Sequence, residues 1–96
     1  MHVISRKKLR QFWEERPDAE TPLRAWFKIV RQVQWETFAD VRAVFPHADQ
    51  VGRYTVFNVG GNKYRLIAAI HYNRGKVYVR HMLTHKDYDL GHWKDD

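Results

Sequence analysis

The hydrophobic pattern of the chain changes its period once, near Pro46. Before this proline, apolar residues recur at spacings of three and four, which is typical of amphipathic helices. After it, β-branched and aromatic residues alternate with polar ones and are punctuated by Gly and Asn, which is typical of strands and tight turns. A chain of 96 residues has room for one small domain. The pattern therefore predicts a single α+β domain over residues 1–96.

Three helical segments are predicted before the change of period. The first covers residues 5–16, where Ser5 is a favourable N-cap residue. The second covers residues 21–34 and opens with threonine then proline, residue types suited to the N-cap and the first helical position. The third is one or two turns after Thr37, which forms a capping-box pattern with an acidic residue three positions later.

Three strands are predicted after the change of period, at residues 54–58, 63–72 and 76–84. The segments between them contain glycine and asparagine, which adopt positive φ at low cost and favour turns. Residues 1–4 are predicted as an additional edge strand. We therefore expect two N-terminal helices packed on one face of a small antiparallel sheet of three to four strands.

The net charge of +6 is concentrated in one part of the chain. From Gln50 to Lys86 no residue is acidic, although this stretch contains seven basic ones: Arg53, Lys63, Arg65, Arg74, Lys76, Arg80 and Lys86. Such a region sets up a positive field suited to a polyanion such as nucleic acid. An ordinary solvated face is the alternative, but such faces tend to mix charges of both signs.

The alternation within the strands separates two faces of the predicted sheet. We expect the solvent face to carry a set of cationic and aromatic side chains: Lys63, Arg65, His71, Tyr78 and Arg80. In the last strand, Met82 is expected on this face and Leu83 on the buried one. Cations for phosphate and flat side chains for bases are what RNA binding needs, although basic residues also alternate with apolar ones in any half-exposed strand.

The segment Thr84-His-Lys-Asp-Tyr-Asp89 follows the last predicted strand. His85 could act as general base or acid, Tyr88 as proton donor or stacking platform, and Arg65, Arg80 and Lys86 as phosphate ligands. Core packing for Tyr88 and capping of a terminal turn for the two aspartates are the alternatives.

Several classes of protein are disfavoured. The chain has no cysteine, which excludes a disulfide scaffold, a cysteine nucleophile and a thiolate metal site. Two of its six histidines, His81 and His85, would lie about 13 Å apart on a strand, too far apart to share a metal ion. Neither a signal peptide nor a membrane-spanning apolar run is present, so a cytoplasmic protein without membrane association is expected.

Three segments, in this order and spacing, resemble the HigB family of bacterial type II toxins: Val56-Phe-Asn-Val-Gly-Gly-Asn-Lys-Tyr-Arg-Leu-Ile67, Val77-Tyr-Val-Arg80 and Thr84-His-Lys-Asp-Tyr-Asp89. The similarity extends back through Ala43-Val-Phe-Pro46 to the N-terminal helices. It implies a RelE-like fold and an mRNA endonuclease that acts on translating ribosomes. It also implies neutralisation by a HigA-type helix-turn-helix antitoxin, through which alone the operator DNA would be bound.

The resemblance also implies the site residues. Arg65, Arg80, His85 and Tyr88 match the expected catalytic set, and four further residues match expected RNA contacts: Lys63, Lys86, Asn62 and His71. Asn62 is equally a turn residue. Because this chain lacks the two adjacent C-terminal aromatic residues of another branch, the identity of the general base stays open. The implied enzyme is a metal-independent endoribonuclease without a cofactor, and the competing class is a non-catalytic RNA- or ribosome-binding module.

Overall fold

The computed structural model describes residues 1–95, which form an α+β structure. Its helices are α1 (Arg6–Glu15), α2 (Glu20–Gln32), α3 (Phe38–Val44) and α4 (His85–Leu90). Its strands are β1 (His2–Ile4), β2 (Asp49–Val51), β3 (Tyr54–Val59), β4 (Tyr64–His71) and β5 (Lys76–Thr84). Short 3₁₀ turns occupy Pro17–Ala19, Tyr72–Arg74 and His92–Asp95.

The strands within residues 1–95 form one five-stranded sheet with the order β1-β5-β4-β3-β2. Strand β1 pairs with β5 in parallel, and the other neighbouring pairs are antiparallel. The predicted α+β class and the edge strand at the N-terminus are confirmed. The sheet has five strands instead of the predicted three to four, and its β1–β5 pair is parallel where an antiparallel sheet was expected. Strand β2 was missed because it has three residues, two of them exposed, and therefore shows no apolar alternation.

The first three helices begin within two residues of their predicted starts, but the predicted capping role is confirmed only at Thr37. Thr37 caps α3 through a capping box, in which its hydroxyl oxygen accepts from the backbone N–H of Asp40 and the Asp40 carboxylate accepts from that of Thr37. Ser5 precedes α1 with a φ of 73°, in the left-handed region, and its side chain makes no capping hydrogen bond. Thr21 lies inside α2, because the preceding 3₁₀ turn runs directly into that helix.

The main hydrophobic core lies between the first three helices and one face of the sheet, here called the first face. The helices contribute Leu9, Leu23, Trp26, Val30 and Val41, each at most 3% exposed. The first face contributes Phe57, Leu66, Ala68, Val77 and Val79. The alternation of β4 therefore has the predicted phase, with Leu66 towards the helices.

A β-bulge at Arg80 reverses the alternation in the second half of β5. Ile67 pairs with His81 and Ala68 with Val79, so Arg80 is an extra residue on β5. After the bulge, Met82 packs against the main core and Leu83 packs on the opposite side of the sheet. The predicted faces of these two residues are therefore wrong, because an inserted residue shifts every later side chain to the other face.

The opposite side of the sheet, here called the second face, carries a smaller hydrophobic core. Tyr54, Val56, Ile67 and Trp93 are buried there, and Leu83 and Tyr88 pack against them. Helix α4 and the turn after it supply two of these residues, so they cover one end of the second face. The second face is therefore not a uniformly solvent-exposed surface, and Arg65, predicted to be exposed, is only 8% exposed.

Candidate active site

Arg65 lies at the start of β4, beneath α4. Its Nη1 donates hydrogen bonds to the carbonyl oxygens of Asn62, at 3.2 Å, and Tyr64, at 3.1 Å. Its guanidinium carbon lies 5.6 Å from the ring centroid of Tyr88, which is a cation–π contact. A buried guanidinium held by main-chain carbonyls is a fixed positive charge with few available rotamers. The structure therefore brings together Arg65 and Tyr88, two of the four predicted catalytic residues.

Tyr88 packs with two other rings, and the three residues Tyr54, Tyr88 and Trp93 are here called the aromatic cluster. Trp93 stacks on Tyr88 with a centroid distance of 5.2 Å and an interplanar angle of 16°, and its Nε1 donates to the Tyr88 carbonyl oxygen at 3.1 Å. Tyr54 contacts Trp93 edge-on at 6.1 Å. Burial raises the pKa of the Tyr88 phenol, and the negative charge of Asp49 raises it further. Tyr88 is therefore a neutral hydroxyl donor at physiological pH.

His85 is the first residue of α4 and is exposed. Its backbone N–H donates to the Lys63 carbonyl oxygen at 3.0 Å, which ties the start of α4 to the turn between β3 and β4. Its Nδ1 lies 2.9 Å from Oδ2 of Asp89, one helical turn later. The Thr84 hydroxyl oxygen caps the helix by accepting from the Asp87 backbone N–H at 3.2 Å. Because the carboxylate fixes Nδ1, the other ring nitrogen of His85 is the one that can exchange protons with a ligand.

The four predicted RNA contacts do not gather in one place. The ammonium of Lys63 lies 2.9 Å from Asp18, on the helix side of the sheet. Asn62 is an exposed turn residue whose carbonyl oxygen accepts from Arg65. Lys86 is exposed on α4, next to His85.

His71, the fourth, lies at the far end of β4, where its ring contacts Tyr78 edge-on at 4.9 Å. His71 and Arg80 line a shallow groove of about 660 Å³ on the sheet, together with Arg53 and Tyr54. Arg80 is exposed at the bulge, and Tyr54 also belongs to the aromatic cluster. The groove therefore adjoins the aromatic cluster through Tyr54.

A second groove, of about 550 Å³, lies between α1 and α2 on the helical side of the sheet. Two arginines of this groove make cation–π contacts with aromatic residues that also line it. The guanidinium carbon of Arg6 lies 4.6 Å from the Phe27 ring centroid, and that of Arg24 lies 4.7 Å from the Trp13 ring centroid. No histidine, tyrosine or carboxylate lines it. The second face carries His85 and Tyr88, which can transfer protons, and is therefore the better candidate for catalysis.

Residues 1–95 contain no group of three or more histidine, aspartate or glutamate side chains placed to hold a metal ion. Across the same residues, no helix is long and apolar enough to cross a membrane.

Three residues around this site, Asp49, Tyr54 and Trp93, were not identified from the sequence, and neither was Asp18 on the helical side of the sheet. Trp93 lies in a short C-terminal segment without periodic signal, and Asp49 in the missed strand β2. Asp18 is 45 and 46 positions away from Lys63 and Tyr64 in the sequence, and only the tertiary structure brings it into contact with them. The clustering of aromatic residues with basic strands is the one sequence signal that points to Tyr54 and Trp93.

A sheet with a helical layer on one face and arginine, histidine and aromatic side chains on the other agrees with the RelE-like fold that the sequence resemblance implies. Residues 19–91 match the HigB toxin family, described as the RelE-like toxic component of a toxin-antitoxin system. The chain belongs to this family, and the resemblance found in the sequence is confirmed.

Individual relatives agree with the family match. A protein of Escherichia coli named mRNA interferase toxin HigB is 35% identical over 93 residues, which covers 94% of this chain and 89% of the relative. The mRNA interferase HigB of Shigella flexneri has the same identity and coverage. An mRNA interferase HigB from another Escherichia coli strain is 27% identical over 92 residues, covering 93% of this chain and 89% of the relative.

Proposed function

We propose that this protein is an endoribonuclease toxin that cleaves mRNA on the translating ribosome in the cytoplasm. The observation that carries the proposal is the Arg65 guanidinium over the Tyr88 ring, at the covered end of a cationic sheet face, in a chain of the HigB toxin family. Relatives that share about a third of their residues with this chain are named mRNA interferases. A HigA-type helix-turn-helix antitoxin neutralises the toxin, and operator DNA is bound only through that antitoxin.

The cleavage reaction is an attack of the RNA 2′-hydroxyl on the adjacent phosphorus. A bond forms between the 2′-oxygen and phosphorus, the bond from phosphorus to the 5′-oxygen breaks, and the leaving 5′-oxygen takes up a proton. The 2′-hydroxyl proton passes to a base, so the products are a 2′,3′-cyclic phosphate and a 5′-hydroxyl. The enzyme needs a proton acceptor, a proton donor and positive charge at the phosphoryl oxygens.

The residues of the second face can meet these needs without a metal ion. Arg65 uses Nη1 for two carbonyls, and a guanidinium has further N–H donors on Nη2 and Nε for a phosphate. Tyr88 has a raised pKa and can donate a proton or stack on a base. His85, oriented by Asp89, accepts or donates the other proton. Arg80 and Lys86 are exposed and suited to the flanking phosphates.

The test uses purified toxin and ribosomes stalled on a defined mRNA. We expect cleavage that leaves a 5′-hydroxyl end and that is abolished when the nucleotide 5′ to the cut carries a 2′-hydrogen in place of its hydroxyl. His85→Ala and Tyr88→Ala are expected to bind these complexes and not cleave them. Wild-type toxin that binds ribosomes or RNA and cleaves nothing would instead establish the non-catalytic binding module.

A further inference from the structure

Residues 62–64 comprise the end of the turn between β3 and β4 and the first residue of β4, and are here called the turn; their main chain holds two of the proposed catalytic residues. The carbonyl oxygens of Asn62 and Tyr64 accept from Arg65 Nη1, and the Lys63 carbonyl oxygen accepts from the backbone N–H of His85 at 3.0 Å. Three consecutive carbonyls therefore fix one buried guanidinium and the first residue of α4. A displacement of residues 62–64 moves both groups.

The side chains of the same turn are held from the other side of the sheet by one carboxylate. Oδ2 of Asp18 lies 2.9 Å from the Lys63 ammonium, and Oδ1 accepts from the Tyr64 hydroxyl at 2.6 Å. Asp18 belongs to the 3₁₀ turn between α1 and α2, which is anchored by the fully buried Ala19. The Tyr64 ring packs edge-on against Phe12 of α1 at 5.1 Å. The helical layer therefore contacts two adjacent residues of the turn, Lys63 and Tyr64.

The two hydrogen bonds favour the ionised form of Asp18. The hydrogen bond from Tyr64 and, to a smaller extent, that from Lys63 lower the pKa of the Asp18 carboxyl. The Tyr64–Asp18 hydrogen bond also raises the pKa of the Tyr64 phenol. Asp18 is therefore a carboxylate throughout the physiological range.

We propose that Asp18 is a positioning residue for RNA cleavage, which fixes the turn at residues 62–64 and thereby the placement of Arg65 and His85. This inference rests on the proposed nuclease function. Asp18 lies on the helical side of the sheet and touches no group of the second face itself. It acts on the reaction only through the main chain of the turn.

The ion pair within this contact is solvated, since the Lys63 and Asp18 side chains are 66% and 48% exposed. Exposed ion pairs contribute little to folding free energy because water already solvates both charges. Catalysis is far more sensitive, because a misplacement of about 1 Å lowers a rate by about a hundredfold. Loss of Asp18 should therefore lower the cleavage rate much more than it lowers the folding stability or the affinity for RNA.

The experiment compares Asp18→Ala with Glu14→Gln, a matched control that removes one negative charge from an exposed residue of α1. For each protein we would measure the maximal single-turnover cleavage rate on stalled ribosomes, the affinity for a 2′-deoxy-substituted RNA, and the exchange rate of the His85 amide hydrogen. For Asp18→Ala we expect a rate ten- to a hundredfold lower than for the control, at equal affinity. We also expect faster exchange of the His85 amide, because its hydrogen bond to Lys63 is loosened.

Asp18→Asn keeps an oxygen acceptor for Tyr64 but loses the ion pair, so its rate should lie between those of Asp18→Ala and the control. Rates and exchange for Asp18→Ala within twofold of the control would overturn the proposal, as would a loss confined to RNA affinity. If Asp18→Ala does not fold, Tyr64→Phe, which removes one hydrogen bond and keeps the ring, is judged by the same criteria. If wild-type toxin fails to cleave, the nuclease function is wrong, and His85 amide exchange alone then decides whether Asp18 positions α4.

Discussion

The guanidinium carbon of Arg65 lies 5.6 Å from the ring centroid of Tyr88, so the second residue of β4 contacts a residue of α4. Arg65 is 8% exposed, whereas the other strand arginine of the predicted catalytic set, Arg80, is exposed at the bulge. The two arginines are therefore expected to differ in what they do. One is a fixed part of the structure and the other an accessible surface charge.

Replacing each arginine by alanine tests this difference. Arg65→Ala leaves the carbonyls of Asn62 and Tyr64 without their donor, so we expect the free energy of unfolding to fall by about 1–3 kcal/mol. Arg80→Ala removes an exposed side chain and should change it by less than about 0.5 kcal/mol. Urea unfolding measures both values, and equal losses would contradict the structural distinction. Cleavage should fall in both variants, while RNA affinity should fall more in Arg80→Ala.

The contrast between these arginines also shows where sequence reasoning reaches its limit. The period-2 alternation correctly placed Arg65 and Leu66 on opposite faces of the sheet, but it gave no information on which residues cover the second face. The cover comes from α4 and Trp93, which lie within the last residues of the chain, where no periodic pattern marks an element. Burial of Arg65 is therefore a tertiary effect that no property of β4 itself predicts.

Sequence patterns predicted correctly those features that depend only on residues close together in the chain. The capping box at Thr37 and the bounds of β5, residues 76–84, are as predicted, because capping residues and turn glycines act within a few positions. The bulge at Arg80 depends on pairing with Ile67 of the neighbouring strand, so the reversed faces of Met82 and Leu83 could not be read from β5 alone. The ion pair of Lys63 with Asp18, across 45 positions of sequence, is non-local in the same way.

The raised pKa of Tyr88 predicts a specific dependence of stability on pH. Burial favours the neutral phenol in the folded protein, so its folded-state pKa lies above the unfolded value of about 10. The folded state then binds more protons than the unfolded state above pH 10, and stability falls as pH rises through that range. Below about pH 10 this contribution is constant.

Tyr88→Phe isolates the effect from the other tyrosines, two of which, Tyr64 and Tyr72, also have raised pKa values. We expect the free energy of unfolding of wild type to decline more steeply above pH 10 than that of Tyr88→Phe, measured by urea unfolding at several pH values. The two proteins should show equal pH dependence between pH 6 and about pH 9. Parallel curves above pH 10 would mean that Tyr88 titrates as a solvated phenol.

Lys63 and Lys86 are predicted to contribute differently to RNA binding. The Lys63 ammonium is paired with Asp18 at 2.9 Å, whereas Lys86 is exposed on α4 beside His85. Each phosphate neutralised by a cation changes the slope of log affinity against log salt by about 0.7 for single-stranded RNA. Lys86→Ala should therefore reduce that slope by about this amount and Lys63→Ala should leave it nearly unchanged. Binding of 2′-deoxy-substituted RNA at several salt concentrations gives both slopes, and equal reductions would show that Lys63 also binds phosphate.

Asp89 is expected to affect cleavage through the orientation of His85. Its Oδ2 lies 2.9 Å from His85 Nδ1 and fixes the ring so that the second nitrogen is available for proton transfer. Asp89→Asn keeps the size of the side chain and removes its charge, and we expect the maximal cleavage rate to fall about tenfold with RNA affinity unchanged or slightly improved. Asp87→Asn is the matched control, because Asp87 is an exposed carboxylate on the same short helix and carries the same charge. If both variants lose the same activity, the loss reflects net charge on α4 and the orientation of His85 by Asp89 plays no part in the reaction.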